Sequence, residues 1–297
     1  MSIHFSRMAS AQTRDSGDGF SVKAIDLHKF GDAATPVIVL DDFRVSGRPF
    51  PPHPHAGFSA VTYVFEDSPG GLRSRDSLGN DLVTGPGGIV WTQAGSGVMH
   101  EEVPADAIRE LHGLQVFVNL SSKNKLVAPR LFRIDKGEVP EWRGDAGDRV
   151  RVLVGSFQGV SSPLVPAEPF TFLDIQLSHE ISFNLQNAHN AIAYVVTGEV
   201  LVRAEGREQK LAGEHAVALH GSGGLATFEA LHAASFLILS GSAIREPVIV
   251  RGSFIMNDES QIEAAAARYR KGDMGHLARI SPYSSESSYR PTFSSCG

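Results

Sequence analysis

His53-Pro54-His55 and His100-Glu101-Glu102 are the residues of this chain best suited to chemistry. Each motif holds two metal-capable side chains two residues apart, and on a β-strand that period turns both to one face. Two such strands facing each other inside a barrel would offer three imidazoles and one carboxylate to a single ion. Mixed nitrogen and oxygen ligation suits Fe(II), Cu, Ni, Mn or Zn and disfavours Ca or Mg. Glu101 competes with Glu102 for the fourth place. It is adjacent to His100 and would point to the opposite strand face, so Glu102 is the expected ligand. One histidine among 12 is usually just solvated. The pairing of His-Pro-His with a downstream His-x-Glu is what raises these positions above that.

The elements that must position them read as strands. Short apolar segments recur between Gly, Pro, Asn and Asp punctuation, the pattern of an all-β protein. Residues 37–40, 60–65, 89–91 and 114–120 predict strands of a first half. Residues 150–154, 170–177, 191–196, 200–204, 216–219 and 235–239 predict strands of a second. Thr197-Gly198-Glu199 reads as a hairpin turn and Pro86-Gly87-Gly88 as a tight corner. The rhythm is that of two small barrels or sandwiches in tandem. The expected division is 1–135 for the first unit, 136–148 for a charged, Gly- and Pro-containing linker, and 149–280 for the second. A serine-rich tail, 281–297, is expected to be disordered. One helix is predicted after Asn257 or Asp258, with Ile262, Ala265, Ala266 and Tyr269 on a stripe for packing.

Composition excludes several classes. At 297 residues and 42% hydrophobic content the chain can bury a sizeable core. Its 27 basic and 33 acidic residues leave a net charge of -6, which argues against a general nucleic-acid or anionic-membrane binder. The single cysteine, Cys296, rules out a disulfide framework. No apolar run approaches the roughly 18 residues of a membrane span, and residues 1–13 lack a signal-peptide core. A cytoplasmic monomer is expected, with nuclear residence open if the source is eukaryotic.

The motifs together resemble the pirin family, a branch of the cupin superfamily. The resemblance rests on His53-Pro54-His55-Ala56-Gly57-Phe58, Val61-Thr62-Tyr63-Val64, Arg75-Asp76-Ser77-Leu78-Gly79-Asn80, Pro86-Gly87-Gly88, Ala94-Gly95-Ser96-Gly97 and His100-Glu101-Glu102. It continues in Val154-Gly155, Ser162-Pro163, Glu246-Pro247-Val248 and Gly252-Ser253-Phe254-Ile255-Met256-Asn257, spanning roughly residues 20 to 280. It implies a bicupin: two antiparallel, jelly-roll-like β-barrels, with a metal in the N-terminal one only. His53, His55, His100 and Glu102 would be the ligands and iron the expected ion, with Ni, Cu, Mn, Co or Zn as alternatives. Ala56 stands where the family commonly has arginine, Ser74 where histidine often stands, and Gly88 where aspartate is usual. None is a ligand, so the departures bear on the pocket and its substrate.

Similar proteins act as quercetin 2,3-dioxygenases, taking a flavonol and O2 and opening the central ring with release of carbon monoxide. In that scheme Glu102 would be both ligand and proton acceptor. Val61, Tyr63 and Phe65 would share the inward parity of His53 and His55 and line the barrel, as core more than as substrate shelf. The family also implies a second reading, a non-enzymatic, redox-responsive regulator that binds a transcription factor or metabolic enzyme. His189, His215 and His220 in the second half show no His-x-His spacing, so no metal is expected there.

Overall fold

Strand after strand is buried on both faces or on alternate residues, and the chain folds as two cupin-type barrels. The computed structural model describes residues 2–15, 19–47, 50–106, 108–144 and 147–279; the predicted tail, 281–297, lies outside them. Among the described residues the main sheets have ten, seven and four strands. The seven- and four-stranded sheets form the first barrel and carry the motifs. In the larger, Phe58–Val64 lies between Ile89–Gln93 and Leu111–Asn119, and Val37–Val45 continues beyond Leu111–Asn119. In the smaller, Val98–Pro104 lies between His53–His55 and Leu72–Asp76. The ten-stranded sheet forms the second barrel, whose interior is filled by side chains such as Val152, Leu173, Ile175, Val200, Val217 and Phe236. No helix among the described residues is long and apolar enough to cross a membrane.

The chain ends cross between the barrels. Ile3–Phe5 pairs with His215–Gly221 of the second sheet. The strand Phe254–Met256 bridges to Ala56 beside the histidine motif. The helix Glu259–Lys271 follows, capped by the Asp258 carboxylate, which accepts from the Gln261 amide. Its Ile262 and Ala265 pack with Ala56, Met99, Met256 and Met274 against the first barrel, as the stripe predicts, while Tyr269 meets Phe254 edge on and is 44% exposed. Gly57 is required by this clasp. It adopts φ 87°, and a Cβ there would stand 1.9 Å from the Ile255 carbonyl oxygen. The segment 136–148 contains the strand Glu141–Arg143, which pairs with Arg149–Val154 at the edge of the second sheet.

Two expectations are corrected. Thr197-Gly198-Glu199 is no hairpin: residues His189–Ala204 form one long strand, paired along its length with Gly224–Ser242. The register shifts between Val195 and Val200, so Gly198 marks a bulge. Its positive φ of 82° and the Ala233 carbonyl, 2.4 Å from where a Cβ would lie, explain the glycine without a turn. Val61, Tyr63 and Phe65 are buried as expected, yet they do not line the metal-side cavity. They pack with Trp91, Leu114, Phe170, Phe172 and Tyr194 between the two barrels. Ala56-Gly57 separates the histidine strand from Phe58–Val64, which belongs to the other sheet, so the parity counted from His53 does not carry through.

Candidate metal centre

Antiparallel pairing brings the two motifs together. His53 stands directly across from His100, and His55 from Val98. The period of two puts His53, His55, His100 and Glu102 on the inner face and sends Glu101 outward, where Arg75 Nη1 donates to its carboxylate at 2.8 Å. The Nε2 atoms converge: His53 to His55 is 3.2 Å and His53 to His100 is 3.1 Å. All three histidines offer donor atoms within 4.8 Å of one another. Ligands about 2.1 Å from one ion stand about 3.0 Å apart at right angles and about 3.4 Å apart at tetrahedral angles. The spacings fit a shared divalent ion.

The protonation states agree with that fit. His53 Nδ1 lies 2.9 Å from the Pro51 carbonyl, which can only accept, so this contact favours the tautomer that carries its proton on Nδ1 and leaves Nε2 for a metal. Burial, reinforced by His53, pushes the His55 pKa down to about 3, against the opposing pull of the Ser253 carbonyl. Burial, then His55 and His53, hold His100 well below the usual histidine range. His55 and His100 are therefore neutral at physiological pH, and a metal would displace no proton from them.

Glu102 lines the same cavity but lies outside the histidine trio. Its Oε2 accepts the Thr62 hydroxyl at 2.5 Å, and its Oε1 is buried without a partner. Burial raises its pKa to about 7, opposed by the Thr62 hydrogen bond. Opposite it, Ser74 contributes another buried hydroxyl with no partner. Orphaned polar atoms beside three converging lone pairs are the features a bound cation and its ligands would satisfy.

The cavity has a volume of about 220 Å³ and a mostly apolar wall of Phe43, Val45, Leu72, Leu111 and Phe117. Phe20 and Phe50 meet edge to face, ring centres 5.0 Å apart, and also border it. Sequence reading missed Thr62, Gln115 and Asp41. One signal was available for Thr62, a polar residue within the wholly buried strand Phe58–Val64. Of the departures from the family pattern, Ala56 is fully buried under Phe254–Met256, and a Cβ at Gly88 would stand 2.5 Å from Thr84 Cγ2.

Known proteins share this architecture. The family model described as Pirin matches residues 5–118, and that described as Pirin C-terminal cupin domain matches residues 172–275. Pirin-like protein 2 of Arabidopsis thaliana is 31% identical over 273 residues, 89% of this chain and 83% of that protein. A Pseudomonas aeruginosa protein bearing the name "Putative quercetin 2,3-dioxygenase" is 34% identical over 251 residues, 80% of this chain and 86% of its own length. The crystal structure of a quercetin 2,3-dioxygenase from Acinetobacter baumannii superposes with a TM-score of 0.81 at 24% identity, covering 93% of this chain and 99% of the other, a likeness of fold. On the matched domains, the two-barrel fold and the histidine motifs, the chain belongs to the pirin family of the cupin superfamily.

Proposed function

We propose that this chain is a metal-dependent dioxygenase acting on a hydroxylated aromatic substrate, with quercetin 2,3-dioxygenase activity as the specific form. The observation that carries the reading is the convergence of three imidazoles at a mostly apolar cavity with a buried, high-pKa carboxyl beside them. His53, His55 and His100 would hold the ion, with Glu102 as a fourth ligand and iron as the metal. When bound, that ion would supply Lewis acidity toward the substrate hydroxyl and electrons toward O2. The protein's own part is to bind, orient and deprotonate. The aromatic wall holds the ring system and excludes water. Glu102 Oε1, which has no protein partner, would swing off the ion to accept the proton of the reacting hydroxyl. Both oxygen atoms enter the product as the central ring opens and carbon monoxide leaves. Along the chain the proposed division is 1–135 for the metal-holding unit, 136–148 between the two and 149–280 for the second barrel, with Ile3–Phe5 and Phe254–Met256 exchanged across it.

The test is to purify the protein anaerobically, quantify its metals and follow oxygen uptake by the iron-loaded form with quercetin. Uptake that disappears in His100→Ala supports the dioxygenase. Stoichiometric metal without turnover refutes it in favour of a metal-bearing regulator with a protein partner. Failure to bind any metal after reconstitution overturns both.

A further inference from the structure

Beyond the histidines and Glu102, a row of three polar side chains runs across the larger sheet; Asp41 and Gln115 line the cavity. Asp41 of Val37–Val45 stands directly across from Gln115 of Leu111–Asn119, and Gln115 stands directly across from Thr62 of Phe58–Val64. Residues opposite each other on neighbouring antiparallel strands share a face. Their strand neighbours on that face, Phe43 and Val45 beside Asp41 and Phe117 beside Gln115, are apolar and line the cavity with them. Two members of the row are already committed. Thr62 donates to Glu102, and its hydroxyl lies 3.2 Å from Gln115 Oε1, while Gln115 Nε2 donates to the Val61 carbonyl at 3.0 Å.

Asp41 is different. Among the described residues its carboxylate has no hydrogen bond or ion pair, although it lines the cavity. Burial raises its pKa, with the charge of Arg14 acting the other way. No protein donor answers this carboxylate, so a ligand hydroxyl that reaches it would exchange water for a hydrogen bond to a charged oxygen inside an apolar wall. Two inter-strand spacings, about 10 Å, separate Asp41 from the Thr62–Glu102 end of the row. That span is long enough for linked aromatic rings carrying a hydroxyl at each end.

We propose that Asp41 is the specificity-determining residue of this cavity, accepting a hydrogen bond from a hydroxyl on the end of the substrate remote from the metal-side carboxyl. The substrate class is an elongated aromatic hydroxylated at both ends, which rests on reading the cavity as the dioxygenase site. Rings lacking the remote hydroxyl fill the apolar wall but leave Asp41 unanswered.

The test is anaerobic calorimetry on the protein with the metal it carries from purification, so that binding is read without turnover. The probes are quercetin and galangin, which share the fused ring system and its reacting hydroxyl, but galangin has no hydroxyl on the pendant ring. Hydrogen bonds to charged groups are large enough for wild type to favour quercetin about tenfold or more. Asp41→Ala should bring the two affinities within about twofold by losing quercetin affinity alone. Asp41→Asn, which keeps an acceptor oxygen, should restore part of the preference, with metal content equal in all three proteins. A wild-type ratio near one, a preference that survives Asp41→Ala, or no binding of either flavonol overturns the assignment. Absence of quercetin-dependent oxygen uptake in a protein that keeps the Asp41-dependent preference would refute the dioxygenase and leave the assignment standing.

Discussion

Replacing Arg151 by methionine should destabilise the protein by about 3–5 kcal/mol, the cost of leaving a buried opposite charge uncompensated. Arg151 is fully buried between the barrels. Its Nη2 donates to the Gly87 carbonyl at 2.6 Å and its Nη1 to Tyr63 Oη at 2.9 Å, both in the first barrel. Its Nη1 also lies 3.5 Å from Asp174 Oδ2 in the second, and Tyr63 donates to that same oxygen at 2.6 Å. In Arg151→Met the Asp174 carboxylate, itself nearly inaccessible, keeps only the tyrosine, and the Gly87 carbonyl loses its donor. Asp174→Asn in the same background removes the stranded charge while preserving an acceptor for Tyr63. The double variant should therefore be more stable than the sum of the single losses by about 1.5–3 kcal/mol, within the range of coupling energies for residues in contact. Urea unfolding monitored by tryptophan fluorescence reads both barrels, since Trp91 packs on Phe170 between them and Trp142 on Phe157 in the second. A loss below about 1 kcal/mol for Arg151→Met, or strict additivity in the double variant, would refute the argument.

His55→Ala removes a candidate ligand, and should weaken metal binding by more than the roughly 10- to 100-fold that losing an outer-shell partner costs; full metal content by elemental analysis would show the site to be wrongly drawn. Thr62→Val frees Glu102 Oε2 from its 2.5 Å hydrogen bond. Losing the bond also raises the Glu102 pKa further, so the test belongs at about pH 9, where proton competition is small. There metal affinity by chelator competition should rise about tenfold if the bond competes with ligation, and an unchanged or weaker affinity would remove Thr62 from the control of Glu102. Lys125 is buried, with Asn119 Oδ1 as acceptor, and burial lowers its pKa from 10.5 to about 8. Its folded pKa is depressed, so between those values the unfolded chain binds the extra proton and stability rises with pH, by about 1.4 kcal/mol per unit. Denaturation at several pH values should show wild type gaining on Lys125→Met by that slope from pH 8 to 10.5, and a constant difference would contradict it.

Local chemistry was legible wherever it depends on a short-range period. His53, His55, His100 and the outward turn of Glu101 follow from the alternation of a strand, which is a property of the backbone alone. The two-barrel rhythm and the capped helix at Asp258 follow from turn and cap chemistry for the same reason. Parity failed where a break between strands intervened. Val61, Tyr63 and Phe65 turned toward the second barrel because Ala56-Gly57 resets the face and hands the chain to another sheet. Gly198 looked like a turn because a positive φ serves a bulge as well as a hairpin, and only the long partner strand Gly224–Ser242 distinguishes them.

By itself, the sequence determined which side chains could bind a metal and which face of its strand each would take. The tertiary structure alone decided that His53 meets His100 and that Thr62, rather than the histidine trio, takes Glu102 Oε2. It also decided that Asp41 ends a polar row across three strands, and that each chain end clasps the opposite barrel. The physical reason is range. Alternation and capping act over two to four residues, whereas these contacts join residues far apart in the chain, whose meeting depends on register between strands and on the packing of whole sheets.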